Sequence, residues 1–170
     1  MMVARKSPSQ RISEKNMALR QELWPDVTDS MLWHRKRKTG FTTVPRTMSY
    51  IFEIMDSLSS GKPLSRAYFS LWCHTFDEYM VTIVNPRAMA IESGFSGERA
   101  ESTWSGRMKI LCDLGFIQAS PGSSGPYHYV LIMNPYTVIR DLKSQRKAIR
   151  PELYNAFFDR TKEIGATDLD

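Results

Sequence analysis

The stretch NPRAMAIESGFSGERAESTWSGRMKILCDLGFIQASPGSSGPYHYVLIMNP, residues 85–135, decides how this chain is read. Asn85 can accept from a free helical N–H and Pro86 has its φ preset for a first turn, so together they open a short helix with Ala88, Met89 and Ile91 as its apolar face. Gly94 ends it. Ser96 is expected to cap a longer helix, 97–114, with Glu98 in the first turn where the helix dipole favours an anion, and Gly115 stops it. At roughly 100° per residue, Ala100, Trp104, Met108, Leu111 and Leu114 share one half of that helix, while Arg99, Ser102, Ser105, Gly106 and Lys109 fall on the other. Residues 116–119 and 127–133 then read as two strands around a Gly/Ser/Pro loop, 120–126, with His128 an exposed residue between Tyr127 and Tyr129.

Upstream, Met48, Ile51, Phe52, Met55 and Leu58 recur at spacings of three and four, an amphipathic helix that stops before Ser59-Ser60-Gly61. A further helix is expected from Ser65, as its cap, to Phe76, with Tyr68, Leu71, Trp72 and Phe76 inward. The β-branched and apolar run 79–84 reads as one short strand. Residues 136–146 and 151–164 look helical and are split by Pro151; their Tyr154, Phe157 and Phe158 either pair two copies or pack back onto the domain. Residues 1–46, with Pro8, Pro25 and Pro45, read as a basic, partly flexible arm holding a weak helix from Ser13 to Trp24. The expected class is therefore mostly α with a small antiparallel sheet (α+β): an N-terminal arm at 1–46, a folded domain at 47–134 and a helical extension at 135–170.

At 170 residues the chain is long enough for one domain with extensions, given roughly 100 to 200 residues per domain. With 42% hydrophobic and 24% charged residues it lies near globular averages, so a packed core is possible. No apolar run suffices to span a bilayer and the first residues lack a signal-peptide pattern, so a soluble, cytoplasmic protein without membrane contact is expected. Cys73 and Cys112 cannot form a disulfide framework and read as buried thiols; with His74 they lack zinc spacing, so neither a metal nor a cofactor is expected. Nucleotide-binding, hydrolase and metalloprotease motifs are missing, which points away from an enzyme.

The net charge of +5 suggests a polyanionic partner, but the charge is unevenly placed. Residues 1–46 carry 10 Lys/Arg against 4 Asp/Glu, whereas residues 47–134 carry 6 against 8. The run Arg35, Lys36, Arg37 and Lys38 repels itself unless neutralised, which suits a phosphate backbone. The patch Arg140, Lys143, Arg146, Lys147 and Arg150 adds a second basic region. A nucleic-acid reading has to explain how the acidic middle segment holds phosphate.

A short helix, a glycine turn, a longer helix with a polar face and a following strand pair are the parts of a winged helix-turn-helix. The run from Asn85-Pro86 to Gly94-Phe95, then Ser96-Gly97-Glu98-Arg99, then Leu114-Gly115-Phe116-Ile117 before a Gly-rich loop and Tyr129-Val130-Leu131, resembles winged-helix DNA-binding domains over residues 47–134. The continuation from Val130 to Pro135 and the helices beyond it look most like winged-helix plasmid replication initiators and related bacterial regulators.

That resemblance implies sequence-specific binding of double-stranded DNA, in plasmid or phage replication initiation or transcriptional regulation. It implies that Arg99, Ser102, Ser105 and Lys109 meet base edges or phosphates in the major groove. It also implies that the wing serines Ser120, Ser123 and Ser124 donate to the adjacent backbone, although this wing lacks the frequent basic residues. Free N–H groups at Ser96 and Gly97 could hold a phosphate as well. Against these stand plainer readings: Arg99 can pair with Glu92 and Lys109 with Asp113, and Trp104 and His74 with the core. Two rival functions remain, a winged-helix module that binds protein, and a dimeric partition or structural component paired through the C-terminal helices.

Overall fold

Residues 7–169 are described by a computed structural model, and among them lie seven α-helices and a three-stranded antiparallel sheet, an α+β arrangement. The chain divides into two units, Met1–Phe41 and Thr42–Asp170. In the first, helix α1 (Pro8–Leu23) starts before the expected Ser13 because Ser7 and Gln10 form a reciprocal cap: Gln10 N–H donates to Ser7 Oγ at 3.3 Å and Ser7 N–H to Gln10 Oε1 at 2.8 Å. Its Ile12, Met17, Leu19 and Leu23 remain exposed. After a 3-10 turn at Asp29–Met31, the Asp29 carboxylate draws together Arg20 at 2.9 Å and Arg37 at 3.4 Å. The arm is thus locally built, with a 16-residue helix where a weak one was expected.

The second unit begins with α2 (Met48–Ser57) and α3 (Ser65–Cys73). Ser65 is not the cap of α3. Asp56, at the end of α2, takes that role: Oδ1 accepts from the N–H groups of Leu64 and Ser65, and Oδ2 from the Ser65 hydroxyl at 2.7 Å. Helix α3 stops at Cys73, three residues short of expectation, so Phe76 lies in the following turn and is 82% exposed instead of inward. Strand β1 (Met80–Thr82) follows, then α4 (Pro86–Glu92), opened as expected by Asn85, whose Oδ1 accepts from Ala88 N–H at 3.0 Å.

Helix α5 (Ala100–Asp113) buries Ala100, Trp104, Met108 and Leu111, the face its periodicity predicts. The hairpin differs from expectation. Strand β2 (Ile117–Gly122) runs through the stretch read as loop, and only Ser123 and Ser124 separate it from β3 (Gly125–Ile132). Pro121 is tolerated because β2 is an edge strand in the order β1-β3-β2 and its register shifts between Ser120 and Gly122, where the missing N–H breaks no ladder bond. The phase of β3 also corrects the reading of His128: it shares the inner face with Val130 and Ile132 and is buried, while Tyr129 and Leu131 face outward.

Helices α6 (Pro135–Ser144) and α7 (Pro151–Glu163) pack on α2, so the C-terminal segment belongs to the body of the second unit. Phe157 is fully buried and stacks on Tyr136 with centroids 5.6 Å apart, and Thr47 Oγ1 lies 2.7 Å from the Tyr136 hydroxyl. Of the two fates open to the α7 aromatics, Phe157 has packed inward and cannot serve a dimer face. The core itself joins Ile51, Ile54 and Met55 to Tyr68, Leu71, Trp104, Met108 and Phe116, the Tyr68 and Phe116 rings meeting edge to face at 5.8 Å. Cys73 is exposed and Cys112 half-buried, against the expectation of two buried thiols.

Candidate nucleic-acid interface

Between α4 and α5 the chain turns twice through conformations that need glycine. At Gly94, φ is +84°, and Phe95 N–H reaches back to Ala90 O at 2.9 Å while Gly94 N–H donates to Ile91 O, a left-handed helix end. At Gly97, φ is +76°, so the backbone is still turning where the sequence places a helix start. Helix α5 therefore begins three residues after the expected position, at Ala100. Ser96 caps nothing among the described residues, and Arg99 holds the N-cap position without a side-chain bond. The phosphate cradle expected at Ser96 and Gly97 loses the helix end that was to supply it. Helix α4 also presents a different face: Met89 and Ala90 point inward, and Ala88 and Ile91 are exposed.

The exposed face of α5 divides its polar residues into free and engaged groups. Arg99 is exposed, with no ion pair among the described residues; Glu92, its possible partner, instead meets His74 Nε2 at 2.7 Å. His74 is thus a surface residue tying α3 to α4, not a packing residue. Ser102 is exposed and its hydroxyl donates to Arg99 O at 3.0 Å, leaving its lone pairs open. Lys109 pairs with Asp113 at 2.7 Å, and that hydrogen bond, then the carboxylate's charge, holds its ammonium above the ordinary lysine range. Ser105 is half-buried and lies beside Tyr127, whose phenol is pushed up by burial first. It faces the hairpin, and of the four α5 candidates only Arg99 and Ser102 remain open.

At the hairpin tip, the two serines have separate fates. Ser123 is exposed. Ser124 lies half-buried, its hydroxyl donating to Ile83 O and standing 2.7 Å from His128 Nδ1. The Ser124 backbone N–H also points at Nδ1, at 3.4 Å, so the hydroxyl and amide of one residue meet both the Ile83 carbonyl and the His128 ring. Ser124 therefore fastens the hairpin tip to the end of β1 and is not a free donor. Ser120 is exposed on β2. Of the basic run, Arg37 is held by Asp29, and Arg35, Lys36 and Lys38 are exposed without an ion pair among the described residues.

Two arginines that periodicity did not single out lie against the α4–α5 turn. The guanidinium of Arg66, at the start of α3, covers Gly94: a Cβ there would stand 2.5 Å from its Cζ. Arg107, on the flank of α5, donates from Nε to Pro63 O at 3.1 Å and lies over the Phe95 ring at 5.6 Å. Only the tertiary fold brings α3 and α5 to the same two turn residues. The C-terminal basic patch is more engaged, with Arg140 beside Asp141 at 3.5 Å, Arg150 near Glu152 at 3.9 Å and Lys143 over the Tyr154 ring at 5.0 Å.

Among the described residues no cluster of three or more His, Cys, Asp or Glu is placed to hold a metal, and no helix is long and apolar enough to cross a membrane. Burial pushes the Cys73 and Cys112 thiols up, which keeps them protonated and poorly nucleophilic at neutral pH. In comparisons with models of protein families, with curated proteins and with solved structures, nothing matches this chain.

Proposed function

We propose that the chain binds double-stranded DNA sequence-specifically through a winged helix formed by residues 47–134, in replication initiation of a plasmid or phage or in transcriptional regulation. The observation that carries this reading is the unit α4–turn–α5 leading directly into the β2–β3 hairpin, with β1 paired to β3 so that hairpin and α5 belong to one body. A helix about 10 to 12 Å across fits a major groove roughly 12 Å wide. On this reading Arg99 and Ser102 meet the groove, Lys109 exchanges Asp113 for a phosphate, Ser123 at the hairpin tip touches the adjacent backbone, and Arg35, Lys36 and Lys38 add contacts that do not depend on sequence.

The test is an anisotropy titration of the full chain against pooled duplexes at two salt concentrations. Binding through several cations must weaken steeply with salt, by about 0.9 in the log–log slope for each phosphate contacted. Absent or salt-independent binding refutes the proposal. A second reading has its own support: Met80, Tyr129 and Leu131 leave the outer face of the sheet apolar and 41–50% exposed, with Val84 beside it at 76%. That surface suits a protein-contact module, and salt-insensitive capture of a protein by the same chain would favour it.

A further inference from the structure

We propose that Arg66 and Arg107 form a site for a phosphodiester group of the DNA backbone, seated on the α4–α5 turn at Gly94 and Phe95; this rests on the DNA-binding reading above. The argument begins with the geometry of the two guanidinium groups. The Arg66 guanidinium sits in the space that Gly94 leaves by lacking a side chain, where a Cβ would stand 2.5 Å from Cζ. Arg107 is fixed at Nε by Pro63 O and supported underneath by the Phe95 ring, while its terminal nitrogens have no partner among the described residues. The Arg107 plane is thereby held before any ligand arrives, which lowers the entropy lost on binding. Arg66 adds a second, exposed guanidinium beside it, and a guanidinium offers the paired donors that phosphate oxygens accept.

The charge around them is also uncompensated. Neither arginine has an ion pair among the described residues. Asp56, the acid that caps the same end of α3, has both oxygens occupied by Leu64 and Ser65. Two other acids of the domain are spent elsewhere, Glu92 on His74 and Asp113 on Lys109. The excess of 8 acidic over 6 basic residues in 47–134 therefore misstates the local field at the turn. Two of the segment's six basic residues, Arg66 and Arg107, meet at the turn, with the exposed Glu98 and Glu101 following in sequence. A phosphate there would position α5 beside the groove and carry no sequence information.

The experiment compares the full chain with Arg66→Gln/Arg107→Gln on two duplexes of different sequence between about 50 and 200 mM salt. Loss of two contacts should lower the slope of log K against log salt by about 1.8, so the variant loses about twelvefold less affinity across that fourfold range, equally for both duplexes. Arg66→Gln alone should lower it by about 0.9; its exposed side chain keeps the test available if the Arg107 variant unfolds. Arg160→Gln/Lys162→Gln removes the same charge from α7 and should leave the slope in place. Equal slopes for the turn variant and the parent, or an equal fall in the α7 control, overturn the site while leaving DNA binding intact. If the parent shows no salt-dependent duplex binding, the underlying reading fails and the site with it.

Discussion

Replacing Ser124 and Ser123 by alanine, one at a time, separates a structural hydroxyl from an interface hydroxyl on adjacent residues. The Ser124 hydroxyl donates to Ile83 O and lies 2.7 Å from His128 Nδ1, and His128 is 6% exposed. Removing that oxygen takes a partner from the Ile83 carbonyl and from the His128 ring, which keeps only the long bond from Ser124 N–H at 3.4 Å. Each unsatisfied buried polar group costs about 1 to 3 kcal/mol, and because Ser124 itself is half-buried, water can recover part of the loss. Ser124→Ala should therefore cost about 1 to 3 kcal/mol in urea unfolding, with the midpoint shifted and the slope m unchanged. Ser123 is exposed and fastens nothing in the fold, so Ser123→Ala should change stability by less than about 0.5 kcal/mol. On duplex DNA the order reverses, with Ser123→Ala losing about 0.5 to 1.5 kcal/mol of affinity if its hydroxyl meets a phosphate. Equal stabilities for the two variants would refute the reasoning about the hairpin clamp.

Phe157→Ala should cost about 3 to 5 kcal/mol, because the ring is fully buried against Tyr136; an unchanged melting temperature would mean that α7 is not part of the body. Gly94→Ala combines a backbone at φ +84° with a Cβ pressed on Arg66, and should cost more than about 1 kcal/mol in chemical denaturation; a smaller loss would show that the turn can relax. Neutralising Arg35, Lys36, Arg37 and Lys38 should make the salt slope on duplex DNA shallower by about 2 to 3 units, fewer than four full contacts would give because Arg37 is shared with Asp29. Sequence preference should survive that change, and an unaltered slope would remove the run from the DNA interface.

Much of the fold was legible from residues alone because its signals are local. Asn85-Pro86 marks the start of α4, Trp104, Met108 and Leu111 mark the buried face of α5, and Gly115 marks its end, since caps, helical period and positive φ depend on neighbours a few residues apart. The alternation along β3 was equally visible, but its phase was not: whether His128 or Tyr129 faces inward depends on which side of the sheet meets the helices, and polar His128 becomes acceptable inside only because Ser124 and β1 come to it. Helix starts that use distant partners also escaped, as at α3, where Asp56 on another helix does the capping. The same reason governs the site. The polar face of α5 could be listed from its period, yet which of its groups are spent depends on contacts with Tyr127 and Asp113, and the meeting of Arg66 and Arg107 at Gly94 and Phe95 exists only once α3, α5 and the turn have packed.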